Sequence, residues 1–129
     1  MAIELKMLAW SVLLGVIYVL VAVTLSLLQR GLKWNASNRD TEPKPLTGVA
    51  ARADRASRNF LETFAFFAAA VLAVVLAQRT TASTALGAEI YLWARVAYLP
   101  IYLAGIPYVR TLVWGVSLWG LLQVLGGLI

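Results

Sequence analysis

Arg55, Asn59 and Glu62 stand at i, i+4 and i+7 in the run Arg55-Ala-Ser-Arg-Asn-Phe-Leu-Glu62, so on a helix they share one face. An arginine fork grips a carboxylate through two parallel hydrogen bonds, an asparagine amide both donates and accepts, and a glutamate accepts from an ammonium. Further along, Tyr91, Arg95, Tyr98 and Tyr102 recur at intervals of four, three and four, again one helical face, and Arg110 follows. Arg55, Asn59, Glu62, Tyr98, Tyr102 and Arg110 are the inventory expected around a small, polar, anionic molecule; a peptide-like zwitterion fits it. Two alternatives stay open for the same residues: a polar clamp between helices with no ligand, and interfacial tyrosines of an aromatic belt.

What must position them is set by the surroundings. Hydrocarbon-class residues run from Glu62 almost without interruption to Ala77. An ionised side chain near the centre of a bilayer helix costs about 2.5–3.5 kcal/mol, so such groups face a bundle interior, a partner or a ligand. The chain has 129 residues, of which 61% are hydrophobic and 13% charged, and its mean hydropathy is +0.80. Eleven basic and six acidic side chains cannot cover that much apolar surface, so the expected class is an integral membrane protein. Cysteine and histidine are both absent, which excludes disulfides, cysteine nucleophiles, imidazole metal ligation and histidine acid–base chemistry. The net charge of +5 brings no basic soluble domain with it, so nucleic acid is not an expected partner.

The expected architecture is one all-α, four-transmembrane-helix domain over residues 1–129, with helices at about 5–30, 52–79, 84–106 and 108–128. Met7 to Leu28 is an uncharged apolar run of 22, too long for a signal-peptide core and followed by no small-residue cleavage site, so it reads as a retained helix. A loop at about 31–51 carries the turn formers Asn35, Ser37, Asn38, Asp40, Pro43, Pro45 and Gly48. From Arg30 to Arg58 there are seven basic residues against three acidic, which places this loop in the cytoplasm. Ala65, Ala69, Ala73 and Ala77 form a small-residue stripe continuing the Asn59 and Glu62 face, and that face is expected to look into the bundle. Pro100 is expected to kink the third span. With both termini outside, Arg110 emerges at the cytoplasmic end near Arg55 and Asn59. Arg58 and Glu62 are spaced for an i, i+4 ion pair, Arg95 is expected to pair with Glu62 or helix carbonyls, and Tyr91, Trp93, Trp114 and Trp119 read as packing or belt residues.

The pattern Arg55-Ala-x-x-Asn59-x-x-Glu62, then Ala94-Arg95-x-x-Tyr98-x-x-x-Tyr102 and Arg110, resembles the MAPEG superfamily, the membrane-associated proteins in eicosanoid and glutathione metabolism, in a bacterial-type member. The resemblance implies a homotrimer of four-helix subunits in the inner membrane, in contact with lipids, with glutathione as co-substrate at subunit interfaces toward the cytoplasm. In its terms Arg55, Asn59, Glu62, Tyr98 and Tyr102 hold the tripeptide and Arg110 stabilises its thiolate. Arg30 is a looser match to a further active-site arginine, and Thr63 stands where many members carry an aromatic hydroxyl. The implied activity is glutathione transfer to small hydrophobic electrophiles or reduction of lipid hydroperoxides. A guanidinium beside a thiol favours the nucleophilic anion, which makes this chemistry available without a base. A small proton-coupled exporter built on Glu62, and a non-catalytic membrane scaffold, are the competing readings.

Overall fold

A computed structural model describes residues 1–42 and 44–129; Pro43 lies outside the described residues. Among them the chain is all-helical, with α1 at Ile3–Arg30, α2 at Leu32–Ala36, α3 at Gly48–Leu76, α4 at Ala82–Leu103 and α5 at Pro107–Leu125. α1, α3 and α5 are each long and apolar enough to cross a membrane. α4 has 22 residues, a length that also suits a bilayer, and Glu89, Arg95 and three tyrosines are spread along it. The arginine and the tyrosines lie on its buried face: Tyr91, Arg95, Tyr98 and Tyr102 are all buried.

The segment at 31–51 is more structured than its turn formers suggest. Gly31, at φ 87°, breaks α1, and the chain then makes the single-turn helix α2. α3 starts at Gly48, ahead of the expected start near residue 52. Gln29 clasps its entry: the Gln29 amide donates to the Thr47 carbonyl at 3.0 Å and accepts from the Thr47 N–H at 3.1 Å. These bonds satisfy backbone groups that a free helix start would leave to solvent.

α3 and α4 each pack on α1 and on α5 as well as on one another, whereas α1 and α5 make no close backbone approach among the described residues. Two apolar clusters fill the bundle. One gathers Phe67, Val71, Val74, Tyr91, Leu121 and Val124; the other gathers Tyr18, Ala56, Phe60, Tyr98, Leu99 and Tyr102. α4 and α5 approach closest where glycines meet: a Cβ added at Gly87 would sit 2.7 Å from the Gly120 carbonyl oxygen, and one added at Gly120 would sit 2.6 Å from that of Gly87. Only hydrogen fits at either place, so the crossing is set by backbone contact.

The alanine stripe faces the other way from expectation. Ala65, Ala69, Ala73 and Ala77 are exposed on the chain, as are Arg55 and Glu62, while Ala53, Ala56, Phe60, Phe67, Val71 and Val74 turn inward. The reason is volume. Phe60, Phe67, Val71 and Val74 fill the space between three neighbouring helices, and the alanines, with Phe66 and Leu76 beside them, are left uncovered. α4 continues through Pro100 and ends three residues later at Leu103, so the ladder bond lost to proline falls in its last turns.

Candidate functional site

The turn between α4 and α5 decides where Arg110 stands. Gly105 takes φ 77°, a left-handed conformation that glycine adopts without penalty, and Pro107 opens α5 where its missing N–H leaves no bond unmade. Arg52 fixes this turn to α3 by donating from Nε to the Leu103 carbonyl at 3.0 Å, and a cation at a helix C-terminus is also favoured by the helix dipole. Arg52 was not among the residues singled out from the sequence. Its signal was present, since it lies seven residues before Asn59 and so on the same helical face.

Four of the expected residues then line one cleft of about 260 Å³: Asn59 from α3, Tyr98 and Tyr102 from α4, and Arg110 from α5, with Thr111 and Trp114 completing the wall. The Arg110 guanidinium lies 4.6 Å from the centre of the Tyr102 ring, in cation–π contact. Arg55, just outside, donates from Nε to the Tyr102 hydroxyl at 3.1 Å and lies 5.8 Å from the same ring. Tyr102 is thus the group that both arginines share. No carboxylate lines this cleft among the described residues. Trp114, read from sequence as packing or belt, is a wall of it; Tyr91 does pack, stacked on Phe67 at 3.8 Å, and Trp93 and Trp119 are exposed on the bundle's outside.

Arg95 sits behind the cleft, fully buried between the two apolar clusters. Its NH1 donates to Asn59 Oδ1 at 2.8 Å and its NH2 to Thr63 Oγ1 at 2.9 Å. The rings of Tyr98, Phe60 and Tyr91 surround it at 4.9, 5.8 and 5.8 Å. Tyr18 of α1 donates its hydroxyl to the Arg95 carbonyl at 2.6 Å. The expected partner Glu62 is not engaged: it is exposed on the outer flank of α3, and an amide, a hydroxyl and aromatic faces solvate the arginine instead. Thr63, a departure from the family pattern, therefore has a task within this chain.

Glu62 also does not pair with Arg58, which turns back one helical turn to Asp54 at 3.1 Å. Arg30 is placed apart from the cleft. Its Nε donates to the Lys44 carbonyl at 2.8 Å and its guanidinium lies 5.2 Å from the Trp34 ring, on the side of α3 that bears Asp54, Ser57, Arg58 and Leu61. One chain thus assembles Asn59, Tyr98, Tyr102 and Arg110, keeps Arg55 at the rim, and leaves Glu62 and Arg30 on outward surfaces.

Chemically, the cleft offers guanidinium, phenol and amide groups at the edge of an apolar bundle, a set of donors suited to an anion. The family model described as MAPEG family matches this chain over residues 7–129. No curated protein and no solved structure gives a match.

Proposed function

The chain belongs to the MAPEG family, and on that premise we propose that it is a glutathione-binding integral membrane protein that works through an arginine-stabilised thiolate. The observation that carries the reading is the convergence of Asn59, Tyr98, Tyr102 and Arg110 on one carboxylate-free cleft, with Arg55 held at its rim by Tyr102. The tripeptide's carboxylates meet Arg55 and Asn59, its ammonium meets Glu62, and Arg110 faces the cysteinyl sulfur. A nearby guanidinium lowers a thiol's pKa from about 8.5 by favouring the anion. The thiolate then displaces a leaving group from a hydrophobic electrophile, forming the carbon–sulfur bond as the leaving group departs with the electron pair. With a lipid hydroperoxide it attacks the terminal oxygen, and a second glutathione completes reduction to an alcohol, water and glutathione disulfide.

α4 is the fourth span in this reading, and three copies surround a common axis. The flank of α3 that bears Arg55, Glu62, Ala65, Phe66, Ala69 and Ala73 is exposed on a single chain, and its alanines would let a second helix approach closely. A site between copies also gives Arg30 a place: it lies across α3 from the cleft and reaches a neighbour's ligand instead of its own. The 31–51 segment faces the cytoplasm by the excess of basic residues from Arg30 to Arg58.

Calorimetric titration of glutathione into detergent-purified protein tests the binding. Saturable binding is expected, weakened by Arg55→Ala; Arg110→Ala is expected to retain weaker but saturable binding while losing the ultraviolet signature of the bound thiolate. Absence of binding to a well-folded wild-type oligomer overturns the reading.

A further inference from the structure

Asn59 is a half-buried amide whose two ends are chemically different, and the chain itself decides which end meets the ligand. Arginine has donors and no acceptor, so the atom of Asn59 that lies 2.8 Å from Arg95 NH1 must be the carbonyl oxygen. The amide nitrogen is thereby turned away from Arg95, and it donates to no group among the described residues. Asn59 lines the cleft shared with Tyr98, Tyr102 and Arg110, so this free NH₂ is its contribution there.

Arg95 can hold that orientation because it has little freedom of its own. It is fully buried, its NH2 is tied to Thr63 at 2.9 Å, and aromatic rings pack around it. Its positive charge has no carboxylate partner among the described residues, and Glu4, the buried carboxylate of the bundle, is bonded to Thr84 near the start of α4. An uncompensated buried cation one side chain behind the cleft adds to the attraction of Arg110 for a negative group, and more strongly there than it would in water.

We infer that Arg95 is a positioning residue that locks Asn59 as a pure hydrogen-bond donor, so that this corner of the cleft selects a carboxylate of the ligand and rejects an ammonium. The inference rests on the proposed glutathione site for its ligand, but the lock itself is a property of the empty protein. It assigns Asn59 one half of the donor–acceptor capacity its side chain has in isolation, and it leaves Glu62 as the acceptor for the ligand's ammonium.

The test has a ligand-free arm and a binding arm. Asparagine occurs only at 35, 38 and 59, so selective ¹⁵N-asparagine labelling of the intact detergent-solubilised protein leaves three side-chain amide pairs to assign. The Asn59 NH₂ protons are expected to show proximity to the Tyr98 or Tyr102 ring protons; proximity to the Arg95 guanidinium protons overturns the inference, whether or not glutathione binds. In the binding arm, glutathione, its glycyl ethyl ester and the analogue lacking the γ-glutamyl α-carboxylate are titrated into wild type, Asn59→Asp and Arg95→Gln. Asn59→Asp keeps the shape and gives Arg95 a counter-ion, so the fold is retained. It removes the donor, and glutathione affinity is expected to fall about ten-fold or more. Unchanged or tighter binding by Asn59→Asp means that the ligand needed an acceptor there, and refutes the inference. Arg95→Gln is expected to erase the wild type's preference for glutathione over one carboxylate-blocked analogue, whereas equal weakening of all three probes is the result of a merely structural role and overturns it. Failure of wild type to bind any probe defeats the glutathione reading alone, because the labelling arm still decides the orientation of Asn59.

Discussion

Replacing Tyr102 by phenylalanine or by leucine separates two things that one side chain does. The hydroxyl accepts from Arg55 Nε at 3.1 Å, and the ring lies 4.6 Å under the Arg110 guanidinium. Tyr102 is buried and Phe preserves its shape, so Tyr102→Phe removes the oxygen alone. Arg55 is exposed and otherwise free to move, so the hydroxyl's value is pre-organisation. Immobilising a side chain of that kind on binding costs about 0.5–1.5 kcal/mol, and the midpoint corresponds to roughly five-fold in affinity. Leucine removes the ring as well, and a cation–π contact at a partly exposed site is worth about 1 kcal/mol, so Tyr102→Leu is expected to weaken glutathione binding by roughly 25-fold. Calorimetric titration of the three proteins at one ionic strength gives both ratios, and a thermal melt of each confirms that the fold survives. Binding by Tyr102→Phe within about two-fold of wild type would refute the idea that the hydroxyl pre-positions Arg55, and equal affinities for Phe and Leu would refute the role of the ring.

Three further outcomes follow from the geometry. Gly120→Ala places a methyl 2.6 Å from the Gly87 oxygen and 2.7 Å from the Tyr91 nitrogen, both backbone atoms that cannot turn aside. It is expected to cost about 1–3 kcal/mol, read as a lower unfolding midpoint in detergent, and an unchanged midpoint would contradict the close crossing of α4 and α5. Arg58→Ala breaks only an exposed i, i+4 pair with Asp54 and is expected to shift stability by about 0.5 kcal/mol or less in the same assay; a loss several times larger would assign Arg58 a partner beyond its own helix. Arg30→Ala and Arg55→Ala chains, each weak in binding alone, are expected to restore about a quarter of the sites when co-expressed and randomly mixed, if each site takes Arg30 from one copy and Arg55 from the next. Stoichiometry by titration of the mixture decides it, and no recovery would mean that the two arginines do not come from different chains.

Much of the cleft was legible from side-chain chemistry and helical spacing. Asn59 and the Tyr98/Tyr102 pair fall on faces that an interval of three or four residues defines before any packing is known, and the Gly105 and Pro107 turn brings Arg110 back beside them. Trp114 and Arg52 were overlooked for different reasons. A tryptophan in an apolar helix has no local mark that separates a cleft wall from a lipid-facing ring, and Arg52, one of seven cations from Arg30 to Arg58, has no local mark that ties it to the carbonyl of Leu103, 51 residues away.

The sequence by itself determined that the chain is helical and apolar enough to enter a membrane, which side chains are available for chemistry, and which of them share a helical face, because composition and periodicity are local properties. Only the tertiary structure decided which face of α3 is the inner one, that Arg95 is answered by Asn59 and Thr63 and not by Glu62, and that Arg30 stands away from the cleft. Those choices depend on how side-chain volumes from different helices fill a shared space and on which donors that filling brings within hydrogen-bond reach, and neither quantity is carried by any single segment of the chain.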